Sequence, residues 1–351
     1  MEPRVTTVRE LAKLAGVSPS AVSLALRNHP RVSQETRARV LAIAKERGYA
    51  PDPLTSTLMG RLRTARKKRQ TERLAFLTWW GEPNGWRRNR NNVLWFEGAR
   101  DRAQSLGYTL EQVWAAEPGL TSARLGRMLY SRGIRGVITT PFPRSRRHLK
   151  LDWRHFAVVG ISKTVIKPEI HQASHFHHNG ILLALHNLKR RGYRRVGLVN
   201  LMEQVERVRH GWISGNFVYQ QSVPEKNRVP PLILKEWSRD QFAAWLERHR
   251  PDAILSSSSA KPLQFLRELG LSAPGEIGFA SLDLQTSDHT VSGIDQQHPL
   301  IAAAAVDLVT AQLQRNEFGL PACPTTIHLN GVWRDGATTR PPPQPRREMR
   351  S

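Results

Sequence analysis

The chain has 351 residues, enough for two or three domains, and its one cysteine, Cys323, excludes an internal disulfide framework and a zinc site built from several cysteines. With 53 lysine and arginine side chains against 29 acidic ones, the formal net charge is +24, which indicates a polyanionic partner, either nucleic acid or an anionic membrane surface. The N-terminus lacks the apolar core of a signal peptide, and no stretch approaches the ~20 apolar residues that span a bilayer, so we expect a soluble cytoplasmic protein.

The positive charge is denser at the N-terminal end. Residues 1–71 carry 15 basic and 5 acidic side chains, a net charge of +10. The remaining 280 residues carry a net charge of +14, so the surplus per residue is nearly three times higher at the N-terminal end.

Residues 7–26, TVRELAKLAGVSPSAVSLAL, predict two short helices joined by a tight turn. Thr7 opens a capping box at the start of the first helix, and Gly16 ends that helix. Ser18 can cap the second helix, with Pro19 at its first position, where a missing N–H costs nothing. This pattern favours a helix-turn-helix whose second helix enters a DNA major groove, and the alternative is an ordinary αα-hairpin. The apolar faces consist of Val8, Leu11, Ala12 and Ala15, then Ala21, Val22 and Ala25.

A third helix follows, with Ser33 as its N-cap and Gly48 at its end, and completes a predicted all-α headpiece over residues 1–50. Three helices of this length can bury a small common core. Residues 51–71 begin with two prolines and continue with a stretch that can form one to three helical turns, although three of its residues are weak helix formers. The run RTARKKRQ then predicts a basic linker.

From residue 72 onward, short apolar runs alternate with longer amphipathic stretches. The runs are RLAFLTWW, RGVITT, HFAVVGIS, RRVGLVNL, DAILSS and EIGFASL. This alternation predicts parallel sheets with helices on both faces, and the length predicts two α/β subdomains over residues 72–338. The Pro-rich, charged tail at 339–351 is expected to be disordered.

These motifs resemble the LacI/GalR family of bacterial transcription regulators. The similarity rests on the helix-turn-helix block, on RVSQETRARVLAIAKERGYAPDPL after it, and on GYRRVGLVN, PDAILSS, GLSAPGEIGFASLD and GVWRDGATT in the C-terminal part. The resemblance implies a homodimer that binds a pseudo-palindromic DNA operator through two headpieces. Each headpiece is followed by a periplasmic-binding-protein-like (type I) effector domain with two doubly wound subdomains. These subdomains close around a small molecule such as a sugar. It further implies a nucleoid-associated regulator that acts as a repressor.

The resemblance also places DNA-binding roles on the headpiece. Proline offers no hydrogen-bond donor and leucine only apolar contact, so the reading surface is poor, and we expect specificity to depend on the hinge and on DNA shape. For Ser20 the alternative is plain solvation. The candidate base-facing residues are Pro19, Ser20, Ala21, Leu24, Arg27 and Asn28. The candidate phosphate contacts are Thr7, Ser18, Ser23, Arg31 and Arg37.

The resemblance also implies that residues 51–71 comprise a hinge helix and a basic linker. Leu58 matches the leucine of this hinge helix, which enters the DNA minor groove in relatives. One leucine from each subunit would wedge the central base step and kink the duplex, which requires an apolar side chain. The alternative is that Leu58 packs against the partner hinge or Met59.

In the family, the effector binds in the cleft between the subdomains, at the carboxyl ends of strands. Asp283 matches an acidic residue that accepts hydrogen bonds from ligand hydroxyls in sugar-binding members. Arg209 matches an arginine that binds a ligand hydroxyl or carboxylate, although its spacing to Gly211 differs by one residue from the family pattern. Trp79 and Trp80 follow the first strand, where aromatic rings stack on sugars. Ser258 stands at the first position of a usual Asn-Asp pair, and His177 or His178 replaces a common Asp; both changes weigh against a simple sugar. The candidate effector contacts are Trp79, Trp80, Arg209, Ser258 and Asp283.

Other functions have little support in the sequence. The HFHH segment at 175–178 has three imidazoles but no carboxylate at matching spacing, so we expect it to open a helix rather than bind a metal. The sequence contains no nucleophile elbow, P-loop or dinucleotide-binding glycine motif, so neither an enzyme nor a cofactor is expected. The two competing hypotheses are a soluble ligand-binding protein without specific DNA readout and a nucleoid-like binder that uses its cationic surface alone.

Overall fold

The computed structural model describes residues 7–26, 29, 31–49, 72–142, 148–284 and 290–342. The predicted hinge and linker at 51–71, with Leu58, lie outside the described residues, as do Arg27, Asn28 and most of the predicted tail. The described chain consists of a three-helix headpiece and two α/β subdomains.

The headpiece contains α1 (Val8–Ala15), α2 (Pro19–Leu26) and α3 (Gln34–Glu46). The predicted capping box is confirmed: the Glu10 backbone N–H donates to the Thr7 hydroxyl at 3.3 Å, and the Thr7 N–H donates to the Glu10 carboxylate at 2.9 Å. Gly16 ends α1 with a left-handed φ of 64°, and Ser18 caps α2 by accepting from the Ala21 N–H at 3.1 Å. The three helices share one small core of Leu11, Ala12, Ala15, Val22, Ala25, Val32, Val40 and Ala44.

The first subdomain is a six-stranded parallel sheet in the order β11-β5-β4-β3-β1-β2. Helices cover both of its faces, as the doubly wound prediction requires. Its elements are β1 (Glu72–Thr78), α4 (Arg90–Ser105), β2 (Tyr108–Trp114), α5 (Ser122–Ser131), β3 (Gly136–Thr139), β4 (Ala157–Ile161), β5 (His171–His175), and then α11 (His298–Arg315) and β11 (Thr326–Leu329), which return from the other end of the chain.

The second subdomain has the order β12-β10-β9-β8-β6-β7, and only β12 runs antiparallel to its neighbour among these described strands. A buried core again lies on each face of the sheet. Its elements are α6 (His177–Arg190), β6 (Val196–Leu201), α7 (Met202–Arg207), α8 (Gly211–Ser222), β7 (Leu232–Leu234), α9 (Arg239–His249), β8 (Ala253–Ser256), α10 (Ala260–Glu268), β9 (Gly278–Ser281), β10 (Gly293–Asp295) and β12 (Val332–Arg334).

The chain crosses between the two subdomains three times: after β5, after β10 and after β11. Because the strands are parallel, these crossings and the loops that follow the other strands gather at one edge of each sheet. This edge is where the polar candidate residues meet. None of the helices within the described ranges is long and apolar enough to cross a membrane.

Helices α4 and α11 form the closest helix pair of the first subdomain, and a glycine makes their approach possible. A Cβ atom added at Gly98 would lie 2.5 Å from the Cα atom of Pro299 and 2.7 Å from its carbonyl carbon. Real Cβ atoms are not found that near to backbone, so only glycine fits without moving a helix. The same face of α11 buries Ile301, Ala302, Ala305, Val306 and Val309 against the sheet.

We expect Gly98→Ala to lower the free energy of unfolding by about 2 kcal/mol or more, because the new methyl group overpacks the contact between α4 and α11. Gly126→Ala is the matched control, because Gly126 lies within α5 with no neighbouring atom nearer than 3.9 Å to an added Cβ. There, alanine should raise the free energy of unfolding by up to about 1 kcal/mol through its higher helix propensity. Urea unfolding of both variants is the measurement. Equal stability of the two variants would contradict the close approach of α4 and α11.

Candidate DNA-binding surface and ligand cleft

Among the predicted base-facing residues that the structure describes, those in the first turn of α2 are the most accessible. Pro19 and Ser20 are exposed, and Ala21 is half-buried. The Ser20 hydroxyl lies 2.8 Å from the hydroxyl of Ser18, which also caps the helix. Leu24 packs partly against the headpiece core, so only part of its side chain remains for a thymine methyl group. The base-facing role of these side chains stays a prediction.

Three of the predicted phosphate contacts already have structural partners, and one of them is Ser18, whose hydroxyl caps α2 by accepting from the Ala21 N–H. The Thr7 hydroxyl belongs to the capping box, and the Arg37 guanidinium donates from Nη2 to the His29 carbonyl at 3.1 Å. Arg31 is exposed and Ser23 is half-buried. Arg37 therefore stabilises the loop before α3. Of the two arginines, Arg31 is the one whose side chain is more accessible to a phosphate.

The two candidate tryptophans after β1 differ in their surroundings. Trp79 is 8% exposed, donates its indole N–H to the Thr139 hydroxyl at 2.9 Å, and contacts the Phe142 ring edge-on at 4.8 Å between centroids. Trp80 is half-buried, and its carbonyl accepts the indole N–H of Trp114 at 2.7 Å. The Trp79 ring is thus part of the core, and Trp80 is the one of the two with accessible surface.

Asp283, which follows β9, has two polar neighbours across the cleft, Asn91 as a hydrogen-bond donor and His298 as a nearby imidazole. The Asn91 amide donates to its two carboxylate oxygens at 3.2 and 3.1 Å, and His298 Nε2 lies 3.2 Å from one of them. The His298 ring stacks on Trp95 at 5.2 Å. Asn91 and His298 begin α4 and α11, so the first subdomain supplies both partners of this second-subdomain acid. No sequence signal marked them, because each is a single polar residue at a helix start.

Arginines of the second subdomain also reach the first. Arg207 donates to the Phe142 carbonyl at 2.7 Å, and Arg209 donates from Nη2 to the Val165 carbonyl at 3.2 Å. Arg209 and His210 both have left-handed backbone, with φ values of 50° and 60°. These two residues form the turn between α7 and α8, where the spacing of Arg209 to Gly211 differs by one residue from the family pattern. The turn directs the Arg209 side chain toward the loop after β4.

Ser258 is half-buried next to a polar network at the ends of β6 and β8. Its N–H donates to the Ser256 hydroxyl at 3.2 Å. The Asn200 carbonyl oxygen accepts from the N–H and the hydroxyl of Ser257, each at 2.8 Å. The Asn200 amide nitrogen is buried and has no partner within the described ranges. Asn200 and Ser257 are therefore further polar residues at the carboxyl ends of strands, beyond those predicted.

Buried histidines occupy the first crossing. His175 is 2% exposed, and neither ring nitrogen has a hydrogen-bond partner among the described residues. Burial lowers the pKa of His175 to about 4 and holds the pKa of His177 well below its ordinary value. The two rings meet edge-on at 5.1 Å. Within the described ranges, no three His, Cys, Asp or Glu side chains come together as a possible metal site.

A cavity of about 430 Å³ lies beside this crossing, between the loop after β4 and the starts of α6 and α8. Residues from both subdomains line it: Lys163, Phe176, His177, His178, Val208, Arg209, Gly211 and Ser214. Of the predicted effector contacts, the cavity includes Arg209. Trp79, Trp80, Ser258 and Asp283 are not among its lining residues.

Comparison with known protein families matches two segments of the chain. The family described as "Bacterial regulatory proteins, lacI family" matches residues 7–52. The family described as "Periplasmic binding protein-like domain" matches residues 185–334. The two segments correspond to the headpiece and to most of the second subdomain with the returning elements.

Curated relatives match over the headpiece. The sucrose operon repressor of Klebsiella pneumoniae is 48% identical over 54 residues, which is 14% of this chain and 16% of that protein. The HTH-type transcriptional regulator AglR of Rhizobium meliloti is 49% identical over 45 residues, 13% of each chain. The matched segment thus spans about a sixth or less of these relatives.

Solved structures match over nearly the whole chain. A complex of the transcriptional regulator CelR with cellobiose has a TM-score of 0.56 and 18% identity, covering 95% of this chain and 99% of that one. The lac repressor dimer bound to operator and the anti-inducer ONPF has a TM-score of 0.55 and 17% identity, covering 96% and 99%. At these identities the likeness establishes a shared fold.

Acid should destabilise the protein through His175. The folded protein holds the pKa of this imidazole near about 4, whereas the unfolded chain has the ordinary value near 6.5. The unfolded chain therefore binds a proton that the folded protein does not, and the free energy of unfolding falls as the pH drops from about 6.5 to about 4, by up to about 3 kcal/mol. Above about pH 6.5 both states are neutral at this site and the effect vanishes.

Urea unfolding at pH 7 and pH 4.5 measures this loss. His175→Leu should reduce it, because the buried imidazole is gone. His186→Leu, at an exposed histidine of α6, is the matched control and should leave the loss unchanged. An identical pH dependence in His175→Leu and the unaltered protein would contradict the assignment.

Proposed function

We propose that this chain is a sequence-specific DNA-binding regulator of transcription of the LacI family that acts as a repressor, since its residues 7–52 match the family described as "Bacterial regulatory proteins, lacI family". The observation that carries the proposal is the capped helix-turn-helix, with the first turn of α2 exposed on a segment of net charge +10. An exposed helix start on a cationic headpiece is the arrangement that major-groove readers use.

The proposed DNA target is a pseudo-palindromic operator bound by a homodimer. Among its described base-facing candidates, a single headpiece offers one hydroxyl, at Ser20, which already lies 2.8 Å from the Ser18 hydroxyl, so one half-site supplies little discrimination. Two headpieces double the base contacts and fix the spacing of the half-sites. The remaining specificity comes from Arg27, Asn28 and the hinge. Leu58 of the hinge acts as a wedge in the minor groove, so the sequence-dependent shape and deformability of the DNA add to the discrimination.

The proposed phosphate contacts set the register of the headpiece on the duplex rather than its sequence preference. Arg31 is the strongest candidate because its side chain is exposed. Thr7 and Ser18 lie at helix starts, where backbone N–H groups add to the attraction for phosphate, and Ser23 lies one turn into α2. Arg37 contributes mainly by holding the loop before α3.

We propose that a small effector changes operator affinity by changing how the two subdomains meet. In the described arrangement, the contacts of Asp283 with Asn91 and of Arg207 with the Phe142 carbonyl join the subdomains. An effector shifts the population of such an arrangement only by binding it more tightly than the alternatives. Asp283, Arg209, Ser258 and Trp80 are the proposed contacts, while Trp79 supports them from the core.

The names of relatives support an effector of sugar size, since one is a sucrose operon repressor and one structure is a complex with cellobiose. The relatives are regulators rather than enzymes, and we propose no catalytic activity for this chain. We also propose that the protein acts in the bacterial cytoplasm, at the nucleoid.

Selection from a random duplex library should recover a pseudo-palindrome that the full chain prefers by ~10³-fold or more over unrelated duplex. Ser20→Glu should weaken operator binding by about tenfold to a hundredfold, because it places a negative charge among the bases and phosphates. Ala42→Glu, at an exposed position of α3, adds the same charge away from α2 and is the matched control. Fluorescence anisotropy at fixed salt measures both.

Equal weakening by the two variants would remove the assigned role of α2. Equal affinity for every duplex would favour the architectural binder, and no duplex binding at all would favour a ligand-binding protein without DNA readout.

Leu58→Ala should reduce the preference for the operator over random duplex by about tenfold, while binding to random duplex changes little, because only the central kink is lost. Met59→Ala is the neighbouring control and should preserve the preference. Circular permutation gel shifts would report the loss of DNA bending directly. An unchanged bend and an unchanged preference in Leu58→Ala would rule out the wedge.

A further inference from the structure

The cavity of about 430 Å³ is built from both subdomains, and its described lining residues include two cations and no carboxylate. Lys163 comes from the loop after β4, in the first subdomain, and Arg209 from the turn before α8, in the second. The other titratable side chains in the described lining are the imidazoles of His177 and His178. A cavity with this lining has a positive potential.

Lys163 and Arg209 affect each other. The pKa of Lys163 is lowered first by burial and then by the positive charge of Arg209, so the lysine lacks a compensating negative partner. The Arg209 guanidinium donates to the carbonyls of Lys163 and Val165, which uses two of its five N–H donors. Two like charges that share a partly desolvated space are stabilised when an anion binds between them.

Two helix starts converge on the same space. Helix α6 begins at His177 and α8 begins at Gly211, and neither N-cap residue makes a side-chain cap. The starts are in contact, since a Cβ atom at Gly211 would lie 2.9 Å from the His177 Cβ and 3.5 Å from the His178 backbone nitrogen. The uncapped N–H groups and the positive ends of both helix dipoles therefore add to the attraction for an anion.

The remaining lining residues indicate what kind of ligand would carry the negative charge. Phe176 and Val208 offer an apolar wall, and the hydroxyl of Ser214 pairs with His178 Nδ1 at 2.9 Å. The volume exceeds that of a bare oxyanion and lies in the range of small-molecule sites. The lining therefore matches an oxyanion attached to a compact, partly hydroxylated carbon skeleton.

We infer that this cavity binds a small organic anion, a phosphate monoester or a carboxylate, that bridges Lys163 and Arg209 across the two subdomains. Bridging groups from different subdomains stabilises the arrangement in which they face each other. That this anion is the effector rests on the proposed function, whereas its binding does not.

Isothermal titration calorimetry of the full chain tests the inference, in a phosphate-free buffer at low salt. The probes are inorganic phosphate, glucose 6-phosphate and citrate, with glucose as the uncharged counterpart. We expect at least one of the anions to bind, and glucose to bind about tenfold more weakly or not at all, because it lacks the charge-assisted hydrogen bonds. Preference for glucose 6-phosphate or for citrate identifies the phosphate or the carboxylate as the natural group.

Lys163→Met should weaken anion binding by about tenfold or more, since it keeps the length of the side chain and removes the charge. Lys235→Met, at an exposed lysine after β7, is the matched control and should bind like the unaltered protein. Arg209→Gln is a second variant, and urea midpoints of all three report folding. Absence of binding by all three anions, equal binding of glucose, or an unaffected Lys163→Met would overturn the inference.

Operator binding is measured separately on the same preparations. Anion binding without duplex discrimination would refute the proposed regulator and leave the cavity assignment standing. Operator binding without affinity for any anion would refute the cavity assignment alone. A change in operator affinity on adding the bound anion, absent in Lys163→Met, would join the two.

Discussion

The chain passes between its two sheets three times, and buried imidazoles lie at the first two of these crossings. His175 occupies the first crossing, His298 follows the second, and Asp283 and Asn91 lie between them across the interface. Some contacts between the subdomains are single hydrogen bonds, and breaking such a bond costs little free energy when water or another group replaces the partner. The four apolar cores of the two sheets do not extend across the interface. Each subdomain is therefore packed separately, and a change at the polar interface would leave the four apolar cores intact.

The same constraint separates two kinds of polar site along the interface. Around Asp283, the chain supplies its own donors to its own acid, so the negative charge is already stabilised. Around Lys163 and Arg209, the chain supplies two cations and two helix starts without a lining carboxylate. The first arrangement joins the subdomains without a ligand, and the second gains from one. The proposed response to a ligand uses both arrangements.

The headpiece follows a different physical rule, because it depends on local interactions. Its capping box, its left-handed glycine and its eight-residue core all lie within residues 7–44, so each was readable from short-range spacing. The apolar runs of β1, β3, β4, β6, β8 and β9 were readable for a similar reason, since central parallel strands are buried on both faces. Strand β5 was missed: its sequence, HQASH, is polar and yet buried. Helices α7 and α8 lack a simple apolar period and were missed as well.

By itself, the sequence determined the helix-turn-helix, its caps and the alternation of apolar runs with amphipathic stretches that predicts the doubly wound class, because each of these patterns is carried by residues close together in the chain. Only the tertiary structure decided which polar side chains meet. Asn91 and Asp283 are 192 residues apart, and Lys163 faces Arg209 only because β4 and α7 end at the same edge. Spacing along a chain does not report such distances, since they follow from the order of strands and the three crossings. The burial of Trp79, predicted as a ligand contact, was likewise decided by packing around Thr139 and Phe142.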